Sequence, residues 1–271
     1  MRALSWNLFH GRDHPPDPAL LTWRSKLLGS TERNATHAQV NRPLLEEFAG
    51  LLSAWDWNVA LLQEVPPHWL VPVARRCGAS GASALTSRNS LAFLRTALAH
   101  RNPDLIASNE GGSNMLLVRA PGQILDVDRV TLATRPERRR MLLARVEPAP
   151  GRRLAVGCVH LSVPATGRGR AEVVQAAEHA VAFAAGDPLI LGGDLNLRPA
   201  QEPEAFAELR ERFGLSSPTA PRAIDHVLAR GLDLAEEPRS LLAHAREVAE
   251  PDGLRVRLSD HAPVTSAFGM R

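Results

Sequence analysis

Tyrosine is absent from these 271 residues, and lysine occurs once, at Lys26. The formal net charge of +3 is therefore carried almost wholly by arginine. Ala, Arg, Pro and Gly are plentiful, which marks codon bias and makes the arginine content a poor argument for nucleic acid. Only two cysteines are present, Cys77 and Cys158. Two thiols so far apart argue against a disulfide scaffold and fit a reducing compartment. There is no Cys/His spacing for a structural zinc site. No apolar run approaches the ~18 residues of a membrane-spanning helix. The N-terminal stretch turns polar after Phe9, too soon for a signal peptide. A soluble, cytoplasmic protein without a membrane span is expected.

What is present is ordinary for a globular chain, with 44% hydrophobic and 23% charged residues. Strand-like runs are read at Arg2–Leu8, Val59–Leu62, Asn114–Val118, Ile124–Leu132, Met141–Val146, Leu154–Leu161, Leu189–Leu191, Ile224–Leu228 and Pro263–Phe268. Helices are expected over Asp17–Leu28, from Pro43 through Trp55, and over Pro67–Arg76, Arg170–Ala185 and Pro203–Phe213. Ser30–Arg42 is polar and carries no clear pattern. Strands and helices interleave to the end with no repeat or long linker. That favours one α/β domain over residues 1–271.

The chain is organised around LILGGDLN, Leu189–Asn196. Its apolar run reads as a buried strand that Gly192 and Gly193 end. Asp194 and Asn196 follow at i and i+2, the same side of an extended chain. A carboxylate and an amide placed together suit the orientation or deprotonation of a water. Taken alone, the plainer reading is a strand followed by an Asx turn.

The rest of the chain changes that balance. Polar residues sit at the tips of several expected strands: Asn7, Glu64, His160, Asp194 with Asn196, Asp225, and Asp260 with His261. If these tips converge, their carboxylates repel and take up protons unless a cation compensates them. Oxygen ligands such as Glu64, Asp260 and Asn7 suit Mg²⁺, with Mn²⁺ as a substitute.

The segments SWNLFHG, LLQEV, VHL, GGDLN, IDHV and SDHAPV occur in this order. Together they resemble the endonuclease/exonuclease/phosphatase superfamily, which includes deoxyribonuclease I-like nucleases and inositol-polyphosphate phosphatases. The resemblance runs from Asn7 to Val264. It implies an α/β (α+β) fold, a four-layer α/β/β/α sandwich of two mixed β-sheets with outer helices. It implies Glu64 as a metal ligand, with Asn7 and Asp260 close to the ion. Asp194 would orient or deprotonate the attacking water, and Asn196 would hold that water or a phosphate oxygen. His261 would bind the scissile phosphate, oriented by Asp225. His160 would stabilise the phosphorane or protonate the leaving oxygen.

The chain also departs from that pattern. Phe9 stands where some branches carry Asp, which thins the metal shell. Gly111 and Gly112 stand where a glutamate supports the histidine corresponding to His160, leaving Glu110 as the nearest candidate. Asn114 and His10 are candidates to border the pocket. Arg138, Arg139 and Arg140 are by default a solvated charge run, with a phosphate-gripping role as the alternative. His226 alternates away from Asp225, and Trp55 and Trp57 are most simply core.

The expected activity is Mg²⁺-dependent hydrolysis of a phosphoester, as an endonuclease or phosphodiesterase on nucleic acid such as DNA. The alternative is a phosphatase or phosphodiesterase for a small phosphorylated metabolite, phosphoinositide or phospholipid headgroup. A non-catalytic binding module is the reading from another class. A monomer is expected.

Overall fold

Side chains alternate across a strand, so a strand apolar on both sides must be covered on both sides. The structure, a computed structural model, describes residues 1–86, 97–99, 101–106, 111–135 and 137–269. One six-stranded sheet contains β1 (Arg2–Asn7), β4 (Val59–Val65), β5 (Ala79–Leu85), β6 (Ser113–Arg119), β12 (Asp233–Ser240) and β15 (Val264–Gly269), in the order β12-β15-β1-β4-β6-β5. A five-stranded sheet contains β7 (Gln123–Ala133), β8 (Arg139–Ala149), β9 (Arg152–His160), β10 (Leu189–Asp194) and β11 (Asp225–Arg230), in the order β11-β10-β9-β8-β7. Two small ribbons pair β2 (Glu32–Arg33) with β3 (Ala38–Gln39), and β13 (Glu247–Ala249) with β14 (Arg255–Arg257).

The alternation sorts the core into layers. Ala3, Val59, Leu61 and Leu116 of the first sheet meet Leu142, Val156, Ile190 and Val227 of the second. Residues one step along, Leu4, Trp6, Leu62 and Met115, face outward onto Phe48 and Leu52 of the helix Leu45–Ala54 and Val73 of the helix Leu70–Arg76. On the far side Leu143, Val159 and Leu191 pack on Val173, Ala177 and Ala180 of the helix Gly169–Ala184, and on Phe206 and Leu209 of the helix Pro203–Phe213. The result is the expected α/β/β/α sandwich. Each large apolar side chain buried this way contributes about 1.5–3 kcal/mol.

Some elements differ from expectation. The helix expected over 17–28 breaks into a 3₁₀ turn, Pro18–Leu20, and a helix, Trp23–Leu28. The Asp17 carboxylate caps Ala19 N, and Thr22 Oγ1 starts a second helix by accepting from Ser25 N. The next helix begins at Leu45 rather than Pro43. β5 and β12 were not anticipated. β5 reads ASGASAL and β12 reads DLAEEPRS. Both are edge strands, where small, polar and proline residues replace the apolar alternation.

Strand direction carries the tips to one edge. β1 runs parallel to β4, and β9 parallel to β10. β11 is antiparallel to β10 and β15 to β1, so their leading residues arrive where the other strands end.

Candidate active site

The inner faces of both sheets are apolar along their length and polar at one edge. Asp225, Asp194 and His160 are cross-strand partners on β11, β10 and β9. Each continues the inward alternation of its strand, after Val227, Ile190 and Cys158. Asn7 continues that of Ala3 on β1. All four are buried.

Glu64 reaches the site by a different route. Alternation from Leu62 would place it outward. The pairing of β4 with β6 slips between Leu62 and Val65, and Glu64 adopts φ 51°. This bulge re-aims the side chain. Its Oε2 lies 3.0 Å from His10 Nε2 and its Oε1 3.8 Å from His160 Nε2.

At LILGGDLN the glycine is obligatory. Gly193 has φ 135°, and a Cβ there would lie 2.0 Å from Val159 O on the adjacent strand. Asp194 then divides its oxygens. Oδ1 accepts from Asn196 N at 3.0 Å, which is the plain Asx turn. Oδ2 accepts from Asn7 Nδ2 at 3.1 Å and stands 3.5 Å from His160 Nε2. The chain is not extended beyond Asp194: Asn196 has φ 52°, and its Nδ2 donates to Leu161 O at 3.0 Å. The i, i+2 alternation therefore does not hold at this strand end.

Left-handed backbone marks the same place. Among the described residues, Phe9, His10, Glu64, Asn196 and Ser259 have positive φ, and only Ala185, a helix cap, does so elsewhere without being glycine. Such conformations cost about 1–3 kcal/mol each and persist where the surroundings over-determine them.

The two catalytic-candidate imidazoles differ in charge. Burial opposes a charged His261. Its Nδ1 donates to Asp225 Oδ2 at 2.7 Å, and this bond, with the charges of Asp225, Asp194 and Asp260, raises its pKa to about 10. Burial drives the pKa of His160 down to about 3 against the pull of Glu64, and the charge of Arg139 adds to the fall. Burial and the adjacent Asp225 charge raise the Asp194 carboxyl. Glu64 goes the other way: burial disfavours its charge, but His10, His160 and Asn7 hold it well below the usual carboxylate range. Environments that push like groups apart separate acid from base roles.

Asp194, Asp225 and His261 offer ligand atoms within 4.8 Å of one another. Asp225 Oδ1 is buried without a hydrogen-bond partner. With Glu64 and Asn7 alongside, this oxygen-rich donor set fits a hard divalent cation. Asp260 is at the exposed rim, its Oδ1 3.9 Å from His261 Nε2.

The remaining candidates fall unevenly. His10 is in the site, on Glu64. Asn114 is fully buried, its Nδ2 donating to Arg140 O at 2.8 Å. Arg138–Arg140 is not a uniformly solvated run, because β8 already begins at Arg139. Arg139 is buried and its Nη2 lies 2.9 Å from Glu137 Oε2, whereas Arg138 and Arg140 are half-buried. Glu110 lies outside the described residues. Among the described residues, the acidic neighbours of His160 are Glu64 and Asp194. His226 turns away, accepting from Thr219 N and bonded to Leu197 O.

Sequence reasoning missed several supports. Ser259 Oγ donates to Asn7 O at 2.6 Å and accepts from His261 N at 3.0 Å, tying β1 to the histidine. Trp6 Nε1 donates to His261 O at 3.0 Å. Buried Glu172 accepts from both the backbone N and the hydroxyl of Ser162, two residues past His160. The only prior signal was the adjacency of Ser259 to Asp260 and His261.

A family model described as "Endonuclease/Exonuclease/phosphatase family" matches residues 4–261. No curated protein sequence matches the chain. Solved structures share the fold at low identity. The chain is similar to a Bacteroides thetaiotaomicron mannosyl-6-phosphatase at 13% identity and TM-score 0.65, over 100% of both chains. It is similar to the human Nocturnin catalytic domain at 16% and 0.64, over 100% of this chain and 93% of that one. It is also similar to a humanized D. rerio TDP2 at 15% and 0.59, over 100% and 99%.

Proposed function

The chain belongs to the endonuclease/exonuclease/phosphatase family, and from that premise we propose that it is a Mg²⁺-dependent phosphodiesterase acting on nucleic acid or its fragments. The observation that carries this reading is the Asp225–His261–Asp194 arrangement. One carboxylate holds His261 Nδ1 at 2.7 Å, while another stands 3.8 Å from Nε2. A cationic donor for phosphate oxygen and a base for water are thereby set side by side.

Each residue then has a task. Asp194 Oδ2 orients the attacking water and takes its proton, a role suited by its raised pKa. Asn196 keeps its amide oxygen for that water or a phosphate oxygen, since its nitrogen is bound to Leu161 O. His261 binds a non-bridging phosphate oxygen as a cation, and Asp225 keeps it oriented and charged. His160, neutral, donates a hydrogen bond to the phosphorane or the leaving oxygen. Glu64, Asn7 and Asp260 would hold the metal. A divalent ion bound there would draw charge from the phosphate oxygens. The two cysteines, both free and buried, support a reducing, cytoplasmic setting.

A second reading is a small phosphorylated metabolite as substrate. Burial of Arg139 favours it, since that guanidinium cannot reach along an extended backbone. The test is a panel of duplex and single-stranded DNA, RNA, inositol phosphates and bis(p-nitrophenyl) phosphate, each with Mg²⁺ and with chelator. Chelator-sensitive cleavage of nucleic acid supports the first reading. Cleavage confined to small phosphates supports the second, and binding without turnover of any substrate overturns both.

A further inference from the structure

Three guanidinium groups gather beside the segment Ser259–His261, and the proposed chemistry gives them no task. The backbone brings them there. Arg246 ends the 3₁₀ turn Ala243–Arg246, and its carbonyl accepts from Leu258 N at 2.8 Å. The Arg12 carbonyl accepts from Ser259 N at 3.0 Å, and the Arg257 carbonyl accepts from His14 N at 2.8 Å. Their charges converge on one imidazole. Burial lowers the pKa of His14, Asp260 opposes that, and Arg246, Arg12 and Arg257 add to the fall.

The protein neutralises these cations unequally. Arg257 donates to Glu247 Oε1 through Nε at 3.0 Å and through Nη2 at 2.9 Å. Arg12 lies 3.9 Å over the Phe9 ring, with Nη1 3.7 Å from Asp104 Oδ1. Arg246 makes no ion pair among the described residues. Its Nη1 donates to Ser259 O at 2.9 Å, and its Nε is buried without a partner. A guanidinium carries several N–H donors in a fixed fork, so most of these are left for a ligand. Burial and the charge of Arg257 lower the Arg246 pKa, which marks a cation short of negative charge. The carboxylates that favour its charge are committed elsewhere: Glu247 to Arg257 at 2.9 Å, Asp225 to His261 at 2.7 Å, and Asp260 to the proposed metal.

The fork of an arginine matches paired phosphate oxygens. Ser259, whose carbonyl anchors Arg246, is two residues from His261, so their Cα atoms are at most about 7 Å apart. One sugar or polyol ring bridges such a separation between two phosphoryl groups.

We propose that Arg246 binds a second phosphoryl group of the substrate, one sugar or polyol ring away from the phosphate held by His261, with Arg12 beside it. The inference rests on the phosphoesterase reading. It adds that the substrate carries two phosphoryl groups, as neighbours along a strand or as substituents of one small molecule.

The test is calorimetric titration of the full chain, with chelator present so that the ligands stay intact. Thymidine 3′,5′-bisphosphate is compared with thymidine 5′-monophosphate, and inositol 4,5-bisphosphate with inositol 4-phosphate. The expected result is at least tenfold tighter binding of the bisphosphate in one pair or both. A gain in the thymidine pair alone assigns the second group to a strand, and a gain in the inositol pair alone assigns it to a small metabolite. Arg246→Gln should bring the ratio of the two affinities close to one. Arg246→Lys keeps the charge and a donor for Ser259 O but loses the fork, and should lower the ratio severalfold. A residue that only supports Ser259 would weaken both members of a pair together and leave the ratio intact. That result, or equal affinities in the unmodified protein, would overturn the proposal. Hydrolysis of bis(p-nitrophenyl) phosphate in Mg²⁺ is followed separately. Its absence would remove the phosphoesterase reading, while a ratio lost in Arg246→Gln would still establish the second phosphate site.

Discussion

Asp225 Oδ2 lies 2.7 Å from His261 Nδ1, with Asp225 buried and His261 largely so. A hydrogen bond between opposite charges, shielded from water, is worth roughly twice a neutral one. It fixes the ring so that Nε2 is presented to Asp194 and to whatever binds between them. The cross-strand register that sets Asp225 beside Asp194 makes both contacts consequences of how β10 and β11 pair.

The first prediction concerns that pair. His261 is charged in the folded protein until pH approaches about 10, against 6.5 for the free group. Its contribution to stability is therefore complete below pH 6.5 and lost as pH rises through about 10. Asp225→Asn should move the alkaline limb of the kcat/KM profile downward and cut activity. His261→Ala added to it should cost little more, since groups acting as a unit are non-additive. Losses that simply multiply would show that the two act separately.

Glu64→Gln should raise the Mg²⁺ concentration needed for activity on the order of 10–100-fold. It removes one charge and keeps the shape on the bulge. Thermal unfolding should show the fold intact. Activity equal to the unmodified protein at limiting Mg²⁺ would rule Glu64 out as a ligand.

The arginines at the start of β8 separate the substrate readings. Each phosphate contact on duplex DNA adds about 0.9 to the slope of log affinity against log salt. Replacing the half-buried Arg138 and Arg140 with Ala should flatten that slope by about one to two units. Hydrolysis of bis(p-nitrophenyl) phosphate should barely change. An unaltered slope would make both arginines bystanders, and no salt-sensitive DNA binding at all would favour the small-metabolite reading.

Asp13 gives a stability prediction independent of catalysis. It is buried, its Oδ2 accepts from Val40 N at 3.1 Å, and its Oδ1 has no partner. Burial, aided by the charge of Asp104, raises its pKa from 3.8 to about 8. Between those values the folded state keeps a proton that the unfolded chain releases, so stability falls as pH rises across that window. Asp13→Asn is neutral at every pH. Its gain in Tm over the unmodified protein should be larger at pH 9 than at pH 5; a pH-independent difference would show that Asp13 is already ionised at pH 5.

The strands and outer helices were legible because they are written in local patterns, while the four-layer arrangement was implied by the resemblance of the motifs to a family. Period-two runs ending in polar residues announced the strands, and helical spacing over Arg170–Ala185 announced an outer helix. The segments around Asn7, His160, Asp194, Asp225 and His261 carried the resemblance that implied a shared site, and the pairing of the strands is what brings these tips together. Three-dimensional packing alone decided the rest. Glu64 would face outward by alternation; a slip against β6 and a left-handed backbone turn it in, and neither has a local signature. His160 and His261 are the same residue type near strand ends in the sequence. One is neutral and the other charged because burial dominates at the first and the Asp225 hydrogen bond and nearby carboxylates outweigh it at the second. Arg139 reads as part of a charged run yet is buried where β8 begins. Ser259 became visible only through its bond to Asn7 O, from a residue 252 positions away. Sequence periodicity encodes which face a residue takes on its own strand. Through-space partners set its charge and hydrogen bonds, and those partners come from strands that the chain brings together only on folding.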